Sequence, residues 1–285
     1  MSSTERYMIV QIEDGISSIR SQRDGETFHP VTGPESEPAN LYVNQLRLPE
    51  RVTAHSGSFV IWDVGLGAAA NPIAFLRAAQ QIPASVIILS FDSTLEPLRF
   101  ALSHPNDLTY LSGFTDQLAA LAEAGIASFK LQPLKVEWVL KLGDFPTLLS
   151  APEAESIPPP NAILFDPFSP AKNPSMWTLD VLAKLHAKTD PAIPCSLASY
   201  TRSTVVRVSL LLAGFFVGVG LATGEKDETT VAANTLSLIQ EPLDRRWLSR
   251  VRRSTSAEPL QGATYRQARL SPENWEKLTA HPQFQ

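Results

Sequence analysis

Cysteine is almost absent from this 285-residue chain, because Cys195 is the only one. A fold held by disulfides is therefore excluded, and Cys195 is best interpreted as a small buried hydrophobic residue in a reducing compartment. The five histidines are scattered along the chain, and none stands at a zinc-ligand spacing from the cysteine. We therefore expect no metal site.

The sequence also lacks a recognisable targeting signal and a membrane-spanning run. Its N-terminus has neither the basic start nor the long apolar core of a signal peptide. The most apolar stretch, near 205–221, is interrupted by Arg207 and by several glycines. We expect a cytoplasmic protein with no membrane partner. Because 44% of the residues are hydrophobic, the chain can bury a sizeable core and global disorder is excluded.

Positive charge is scarce except near the C-terminus. The net charge of −5 argues mildly against a nucleic-acid partner. Residues 241–285, however, hold eight basic and five acidic residues and so carry +3. Within this tail, Arg246, Arg250 and Arg253 would share one face of a helix. The cluster is either a solvated helix face or a surface that contacts phosphates.

Short apolar runs alternate with helical patterns from residue 59 onwards. The pattern predicts strands at 59–64, 86–91, 136–142, 162–166 and 193–199, and helices at 71–81, 95–102, 115–125, 175–188 and 201–212. Such alternation is typical of an α/β domain with a mostly parallel sheet. The runs at 214–222 and 229–236 predict an antiparallel hairpin at the edge of that sheet.

The first fifty residues predict β structure and loops. Asp-Gly pairs at 14–15 and 24–25 indicate hairpin turns, and the segment 30–40, rich in Pro, Gly and Glu, predicts a loop. We therefore expect three parts: a β-hairpin extension over 1–50, an α/β domain over 51–240 and a basic tail over 241–285.

A glycine-rich turn joins the first strand of the α/β domain to its first helix. Gly65 and Gly67 allow a tight turn and a close approach of a ligand to the backbone, and Asn71 is a good cap for a helix that faces a nucleotide. Asp63, at the strand end, would repel a pyrophosphate but attract the ammonium and sulfonium of S-adenosylmethionine. The turn is thus structural, a dinucleotide site or, with Asp63, a site for S-adenosylmethionine.

Further acidic residues follow the next predicted strands. Asp92 stands where a carboxylate can accept both ribose hydroxyls of an adenosine, or else cap the next helix. Asp144 and Phe145 could meet an adenine amino group and ring, or form a simple turn. Because parallel strands end at one edge of a sheet, the series Asp63, Asp92 and Asp144 favours an adenosine-containing cofactor.

The segment 165–177, FDPFSPAKNPSMW, is the most specific motif. Asp166 ends an apolar strand at the crevice where open α/β sheets bind ligands. Rigid prolines and aromatic residues follow it, and a helix is predicted to begin near Pro174. The alternative interpretation is an aspartate that caps a proline-rich turn.

These motifs resemble the methyltransferase part of the bacterial bifunctional enzyme that completes 5-methylaminomethyl-2-thiouridine in tRNA. LFDPFSPAKNPSMW is similar to the family's Asp-Gly-Phe-x-Pro-x-Lys-Asn-Pro-x-Met-Trp signature, and DVGLGAAANPIAFL to its Glu-x-Gly-x-Gly-x-Gly-x-Asn segment. GLATGEKDETTVA resembles the family's Gly-x-Gly-x-Lys-Arg-Glu ending, and the likeness spans roughly residues 40–235. Two positions depart from the pattern: Ala69 stands at the third glycine, and Pro167 at the glycine after the aspartate.

The resemblance implies a class I S-adenosylmethionine-dependent methyltransferase, Rossmann-like in fold, that acts on the amine of 5-aminomethyl-uridine at the tRNA wobble position. It implies that the cofactor is lined by Asp63, Gly65, Gly67, Asn71, Asp92, Asp144 and Phe145, and that Asp166 is catalytic and faces the acceptor amine. The substrate-binding residues would be Phe168, Lys172, Asn173, Trp177, Lys226, Arg246, Arg250 and Arg253. The chain would be a stand-alone form, whose partners are tRNA and a separate flavoprotein that supplies the aminomethyl precursor.

Three other functions remain open. An enzyme of the same fold could methylate a small molecule or a protein, which the acidic body of the chain favours mildly. A reductase could bind NAD(P) through Gly65-x-Gly67-x-x-Ala70, but the position of Asp63 and the lack of a Tyr-x-x-x-Lys set argue against it. A non-catalytic binding protein is the third, and the intact series Asp63, Asp92 and Asp166 argues against a loss of cofactor binding.

Overall fold

An eight-stranded sheet forms the centre of the protein, which the computed structural model describes over residues 6–12, 15–222 and 227–285. Two strands form a separate small sheet, β1 (Tyr7–Gln11) and β2 (Ser17–Ser21). The central sheet contains β3 (Ser58–Val64), β4 (Ser85–Asp92), β5 (Ile126–Leu131), β6 (Leu134–Leu142), β7 (Ala162–Phe165), β8 (Ser196–Ser199), β9 (Phe216–Gly220) and β10 (Thr229–Ala233). The helices are α1 (Gly33–Pro38), α2 (Leu48–Ala54), α3 (Ala70–Ala79), α4 (Glu96–Leu102), α5 (Thr115–Ala124), α6 (Phe145–Ser150), α7 (Leu179–Ala187), α8 (Thr204–Leu212), α9 (Trp247–Arg253) and α10 (Pro272–Thr279).

The middle of the sheet is parallel, and both of its edges are antiparallel. The spatial order is β5-β6-β4-β3-β7-β8-β10-β9, in which β6, β4, β3, β7 and β8 run in one direction. The predicted α/β architecture and the late hairpin of β9 and β10 are confirmed. The edge strand β5 was not predicted, because its residues alternate between buried and exposed positions and form no apolar run.

Each face of the sheet carries its own hydrophobic core. On β3, Ile61 belongs to the core that also contains Phe75 of α3, and Trp62 belongs to the other core, which also contains Leu182 of α7. All residues of β3 after Ser58 are buried, as expected for a strand covered on both faces. The carboxyl ends of the parallel strands therefore open at one edge between the two helical layers, where ligands bind in folds of this type.

The N-terminal part contains the predicted hairpin but also helices that were not predicted. β1 and β2 pair antiparallel through the turn at Gly15, while Asp14 lies outside the described residues. The prediction of a loop over 30–40 is wrong, since α1 and a π-helical turn (Ala39–Asn44) form there. Pro34 stands in the first turn of α1, where proline is tolerated, and the burial of Leu41 and Tyr42 outweighs the local preference for a loop.

The C-terminal segment packs onto one face of the sheet. Val251 of α9 and Phe284 are buried in the same core as Trp62. The side chain of Gln283 accepts a hydrogen bond from the backbone N–H of Val217 at 2.8 Å and donates to its carbonyl at 2.7 Å. These contacts hold residues 241–285 against β9 and α8.

The lone cysteine is a buried residue of the core. Cys195 is fully buried, and burial raises the pKa of its thiol to about 12, so the group stays protonated. Among the described residues, no helix has the length and apolarity needed to cross a bilayer. Within the same residues, no group of three or more His, Cys, Asp or Glu side chains could hold a metal ion.

Candidate functional site

Three carboxylates meet at the carboxyl edge of the sheet. β3 pairs with β4 on one side and with β7 on the other, so Asp63, Asp92 and Asp166 follow or end three adjacent strands. The charges of Asp166 and Asp92 both contribute to raising the pKa of Asp63, which shows that the three groups lie within electrostatic reach. The structure thus brings together the acidic residues that the sequence singled out at these strand ends.

Asp63 is fully buried, and among the residues that the structure describes only one of its oxygens has a partner. Ser90 Oγ donates to Asp63 Oδ2 at 2.7 Å, whereas Oδ1 has no hydrogen-bond partner among the described residues. Burial is the main cause that raises the pKa of Asp63 to about 8, against the opposing effect of the Ser90 hydrogen bond. A buried acceptor without a donor costs free energy, so this oxygen fits a cationic donor such as the ammonium of S-adenosylmethionine.

The glycine turn after β3 needs its glycines. Gly65 and Gly67 have φ values of +98° and +52°. A Cβ atom on Gly65 would lie 2.7 Å from the backbone oxygen of Asp166, so the turn passes directly against the end of β7. The absence of a side chain at Gly65 therefore allows the end of β3 to pack directly against the backbone at the end of β7.

Asp92 ties the glycine turn to the start of α4. Its Oδ2 accepts a hydrogen bond from the N–H of Gly67 at 2.9 Å, and its Oδ1 accepts one from the N–H of Thr94 at 3.1 Å. Burial raises the pKa of Asp92, and these backbone hydrogen bonds oppose that shift. Each carboxylate oxygen can accept a second hydrogen bond, so the group remains able to bind ribose hydroxyls.

Asn71 does not cap α3, which corrects the sequence interpretation. The residue before α3 is Ala69, in the left-handed conformation with φ +66°, and Asn71 lies inside the first turn. From there its Nδ2 donates to Asp166 Oδ2 at 2.9 Å, while its Oδ1 is buried and has no partner among the described residues. Asn71 therefore orients the Asp166 carboxylate and leaves one acceptor open.

Asp144 and Phe145 follow β6. Asp144 caps a helix, and Phe145 is part of the hydrophobic core. Asp144 Oδ2 accepts hydrogen bonds from the N–H of Thr147 at 3.2 Å and from its hydroxyl at 2.7 Å, so it caps α6. The ring of Phe145 is buried and packs edge-on against Phe91, with centroids 5.1 Å apart. Leu142, which precedes them, is 53% exposed at this edge.

Two aromatic side chains donate hydrogen bonds to backbone carbonyls of the loop after Asp166. Trp177 Nε1 donates to the carbonyl of Phe168 at 2.9 Å, and the Tyr200 hydroxyl donates to the carbonyl of Pro167 at 3.2 Å. Trp177 is buried, with only 2% of its surface exposed, so its placement is that of a support for the loop. The predicted helix at 175–188 is a 3-10 turn (Pro174–Trp177) followed by α7.

Lys172 and Asn173 lie on the outer part of the same loop. Lys172 is exposed, and its Nζ lies 4.0 Å from the position that a Cβ on Gly25 would take. Asn173 is partly buried, and its Oδ1 accepts a hydrogen bond from Ser175 Oγ at 2.9 Å. Lys172 is therefore placed at the surface beside the N-terminal part, and Asn173 contributes to the internal order of the loop.

Residues of the N-terminal part reach the same edge, which the sequence did not predict. Tyr42 is fully buried, and burial followed by the charge of Asp166 raises the pKa of Tyr42 well above its usual value. Glu26 accepts a hydrogen bond from Ser169 Oγ at 2.6 Å. No local pattern marks these residues, because their position depends on how the extension docks onto the sheet.

The arginines of the C-terminal segment are exposed on and beside α9. Arg246 precedes the helix and Arg253 ends it, and both are exposed. Arg250 Nη1 lies 3.2 Å from Glu228 Oε1, a carboxylate that also pairs with the buried Arg207 at 3.2 Å. Lys226, the other basic residue predicted to bind substrate, lies outside the described residues.

Replacing Asp63 by asparagine is expected to stabilise the cofactor-free protein increasingly as the pH rises. The folded-state pKa of Asp63, about 8, lies above the ordinary value of 3.8. The folded state therefore retains a proton that the unfolded state has lost between these pH values, and stability falls as the pH rises through this window. The variant lacks this loss of stability. Its free energy of unfolding relative to wild type should therefore be greater at pH 8 than at pH 5, by more than about 1 kcal/mol.

Urea unfolding of both proteins at pH 5 and pH 8 measures this difference. Asp116→Asn, on the exposed face of α5, is the matched control and should show no such trend. An equal difference between wild type and Asp63→Asn at both pH values would contradict the buried, protonated state of Asp63.

The chain is similar to known proteins over most of its length. A family model described as S-adenosyl-L-methionine-dependent methyltransferase matches residues 111–235. The tRNA 5-methylaminomethyl-2-thiouridine biosynthesis bifunctional protein MnmC of Methylibium petroleiphilum is 29% identical over 236 residues, which cover 78% of this chain and 34% of that protein. The protein of the same name from Burkholderia vietnamiensis is 31% identical over 216 residues, with shares of 71% and 31%. The chain thus spans about a third of the length of these curated relatives.

A solved structure is similar over nearly the whole chain. MnmC2 from Aquifex aeolicus superposes with a TM-score of 0.70 at 25% sequence identity, covering 96% of this chain and 83% of that one. The similarity therefore extends beyond the residues that the family model matches.

Proposed function

Since this chain is a class I S-adenosyl-L-methionine-dependent methyltransferase related to the MnmC proteins, we propose that it methylates a primary amine: the 5-aminomethyl group of the wobble uridine in tRNA. The product would be 5-methylaminomethyl-uridine, with or without the 2-thio group. The names of the relatives refer to this tRNA modification, and the carboxylates at the edge of the sheet suit a cationic cofactor and an amine acceptor.

The observation that carries the proposal is the placement of Asp166. Its carboxylate stands at the end of β7, partly exposed, and Asn71 holds it at 2.9 Å. S-adenosylmethionine, when bound, supplies a methyl group on an activated sulfonium, so the protein mainly has to align a neutral amine. An alkylamine is mostly protonated at neutral pH, and Asp166 would orient the amine and take or relay its proton. No covalent intermediate with the protein is required.

The residues at the neighbouring strand ends fit the cofactor. Asp63 Oδ1 would receive the ammonium of the methionine part, and Asp92 would receive the ribose hydroxyls. Gly65 and Gly67 would let the cofactor approach the backbone. Asp144 would meet the adenine with the carboxylate oxygen that the cap of α6 does not use.

A tRNA substrate also implies partners and a location. Electrostatic contact with phosphates supplies most of the nonspecific affinity for nucleic acid, and the exposed Arg246 and Arg253 offer such contacts on an otherwise acidic chain. A separate flavoprotein would supply the aminomethyl-uridine precursor, and the reaction would take place in the cytoplasm.

The deciding experiment combines cells and purified protein. Bulk tRNA from cells that lack this protein should accumulate 5-aminomethyl-uridine nucleosides, and the purified protein should transfer labelled methyl groups to that tRNA. Methyl transfer to a small molecule or a protein, with no transfer to this tRNA, would establish the alternative acceptor instead. No methyl transfer to any of these acceptors would contradict the proposal.

Replacing Arg246 and Arg253 together by serine is expected to weaken tRNA binding and to lower its salt dependence by up to about two counterions. Arg250 is left intact, because its partner Glu228 also neutralises the buried Arg207. Filter binding at several salt concentrations measures the slope, and calorimetry should show unchanged S-adenosylmethionine affinity.

The matched control replaces Lys130 and Lys135 by serine. Both are exposed on the edge hairpin of β5 and β6, and Lys135 lies near the amino end of β6, away from the site. An unchanged salt slope in the arginine variant would mean that α9 is a solvated helix face and that the RNA binds elsewhere.

A further inference from the structure

Two polar contacts anchor the N-terminal extension beside the candidate site. Arg6, just before β1, pairs with Glu96 of α4 at 2.7 Å, and farther along the chain Glu26 accepts a hydrogen bond from Ser169 at 2.6 Å. α4 follows β4 and Ser169 follows β7, and these two strands flank β3 in the sheet. The N-terminal part is therefore anchored on both sides of β3, whose end carries the glycine turn.

Phe28 follows Glu26, the second anchor, by two residues and lies against the glycine turn. Its N–H donates to the carbonyl of Ile19 at 2.8 Å, and its carbonyl accepts a hydrogen bond from Ser18 Oγ. The edge of its ring comes within 3.3 Å of the position that a Cβ on Gly67 would occupy. The two backbone hydrogen bonds of Phe28 thus fix the position of its ring beside the glycine turn.

A second ring faces it from the loop after β7. Phe168 lies two residues after Asp166, and its carbonyl is held by Trp177 Nε1 at 2.9 Å. The centroids of Phe28 and Phe168 are 5.7 Å apart with an interplanar angle of 54°, and both side chains are partly exposed. Two pinned and partly exposed rings beside a carboxylate provide flat apolar faces for a planar ligand.

We propose that Phe28 and Phe168 form a stacking site for the pyrimidine base of the acceptor nucleotide, with Phe28 contributed by the N-terminal extension. This inference rests on the proposed function. An enzyme that modifies a base takes it out of the stack and holds it between aromatic or apolar side chains. A base placed at these rings would present its 5-substituent to the neighbouring Asp166.

The position along the sheet distinguishes this base from the adenine of the cofactor. The adenine is proposed to meet Asp144 after β6, and β6 is separated from β3 by β4. The aromatic pair instead lies between the ends of β3 and β7. Lys172, on the loop of Phe168 and next to Gly25, adds a cation that suits the phosphate of a nucleotide rather than the cofactor.

The first test is the kinetics of Phe28→Ala on tRNA that carries 5-aminomethyl-uridine. Loss of one stacking ring should raise KM for the tRNA about 10-fold, with a smaller change in kcat. Phe28→Tyr, which retains the ring, should restore most of this loss. Calorimetry should give an S-adenosylmethionine affinity within about 2-fold of wild type. Phe129→Ala, at a half-buried ring on β5, is the matched control for a general loss of packing.

The second test needs no methyl transfer. Phe28→Trp places a fluorescent ring at the site, and 5-aminomethyl-uridine monophosphate should quench it saturably relative to wild type. Absence of quenching, or an unchanged KM in Phe28→Ala, would overturn the stacking site. Weaker S-adenosylmethionine binding with an unchanged KM for tRNA would overturn it as well, and would assign the ring to the cofactor. If the wild type does not methylate tRNA, the proposed function fails, while quenching still reports on nucleotide binding.

Discussion

Replacing Asp166 by asparagine is expected to lower turnover about 10²–10⁴-fold, the usual scale for loss of a general base. The amide has the size of the carboxylate but cannot accept the proton of the substrate ammonium. S-adenosylmethionine affinity should stay within a few-fold of wild type, because Asp63 and Asp92, proposed to contact the cofactor, are unchanged. Single-turnover methyl transfer to tRNA measures the first effect, and calorimetry measures the second.

The matched control for this substitution is Asp190→Asn. Asp190 accepts a hydrogen bond from the N–H of Ala192 at 2.8 Å, in the loop that leads into β8 from the opposite side of the sheet. It is thus a capping aspartate remote from the site, and its replacement should leave turnover near the wild-type value. If Asp166→Asn has wild-type turnover, or if circular dichroism shows that the variant is unfolded, the catalytic role is contradicted and Asp166 is a capping residue.

Replacing Gly65 by alanine is expected to destabilise the protein by about 2–4 kcal/mol and to abolish measurable S-adenosylmethionine binding. The added Cβ would lie 2.7 Å from the backbone oxygen of Asp166 and 3.0 Å from its carbonyl carbon. Neither atom belongs to a flexible side chain, so β3 and β7 would have to separate where the cofactor is proposed to bind. Denaturant unfolding and calorimetry measure the two effects.

Gly57→Ala separates this contact from the strain of the backbone. Gly57 has a similar φ of +91°, but a Cβ there would meet no atom within 4 Å. Since no atom of the described residues stands in the way, its replacement should cost only about 1–2 kcal/mol, the free energy of placing an L-residue in the left-handed conformation, and should spare cofactor binding. Equal losses of stability in the two variants would contradict the importance of the contact between Gly65 and Asp166.

The sequence by itself determined the parallel part of the sheet and the carboxylates at its edge. β3, β4 and β7 are nearly continuous apolar runs, because strands covered by helices on both faces need apolar side chains on both faces. Asp63, Asp92 and Asp166 stand at the ends of such runs, so their common edge followed once the strands were taken as parallel. Chain order and local composition carry this information.

Only the tertiary structure decided how that edge is completed. Asn71 was expected to cap a helix, yet its amide reaches Asp166, which is 95 residues away in sequence. Glu26 reaches Ser169, which is 143 residues away, and Tyr42 comes within electrostatic reach of Asp166 from a π-helical turn that the sequence did not predict. Such contacts depend on the docking of elements that are distant along the chain, and neither hydrophobic periodicity nor turn residues encode that docking locally. The strand ends could therefore be predicted, whereas the walls of the site emerged only when the extension packed against them.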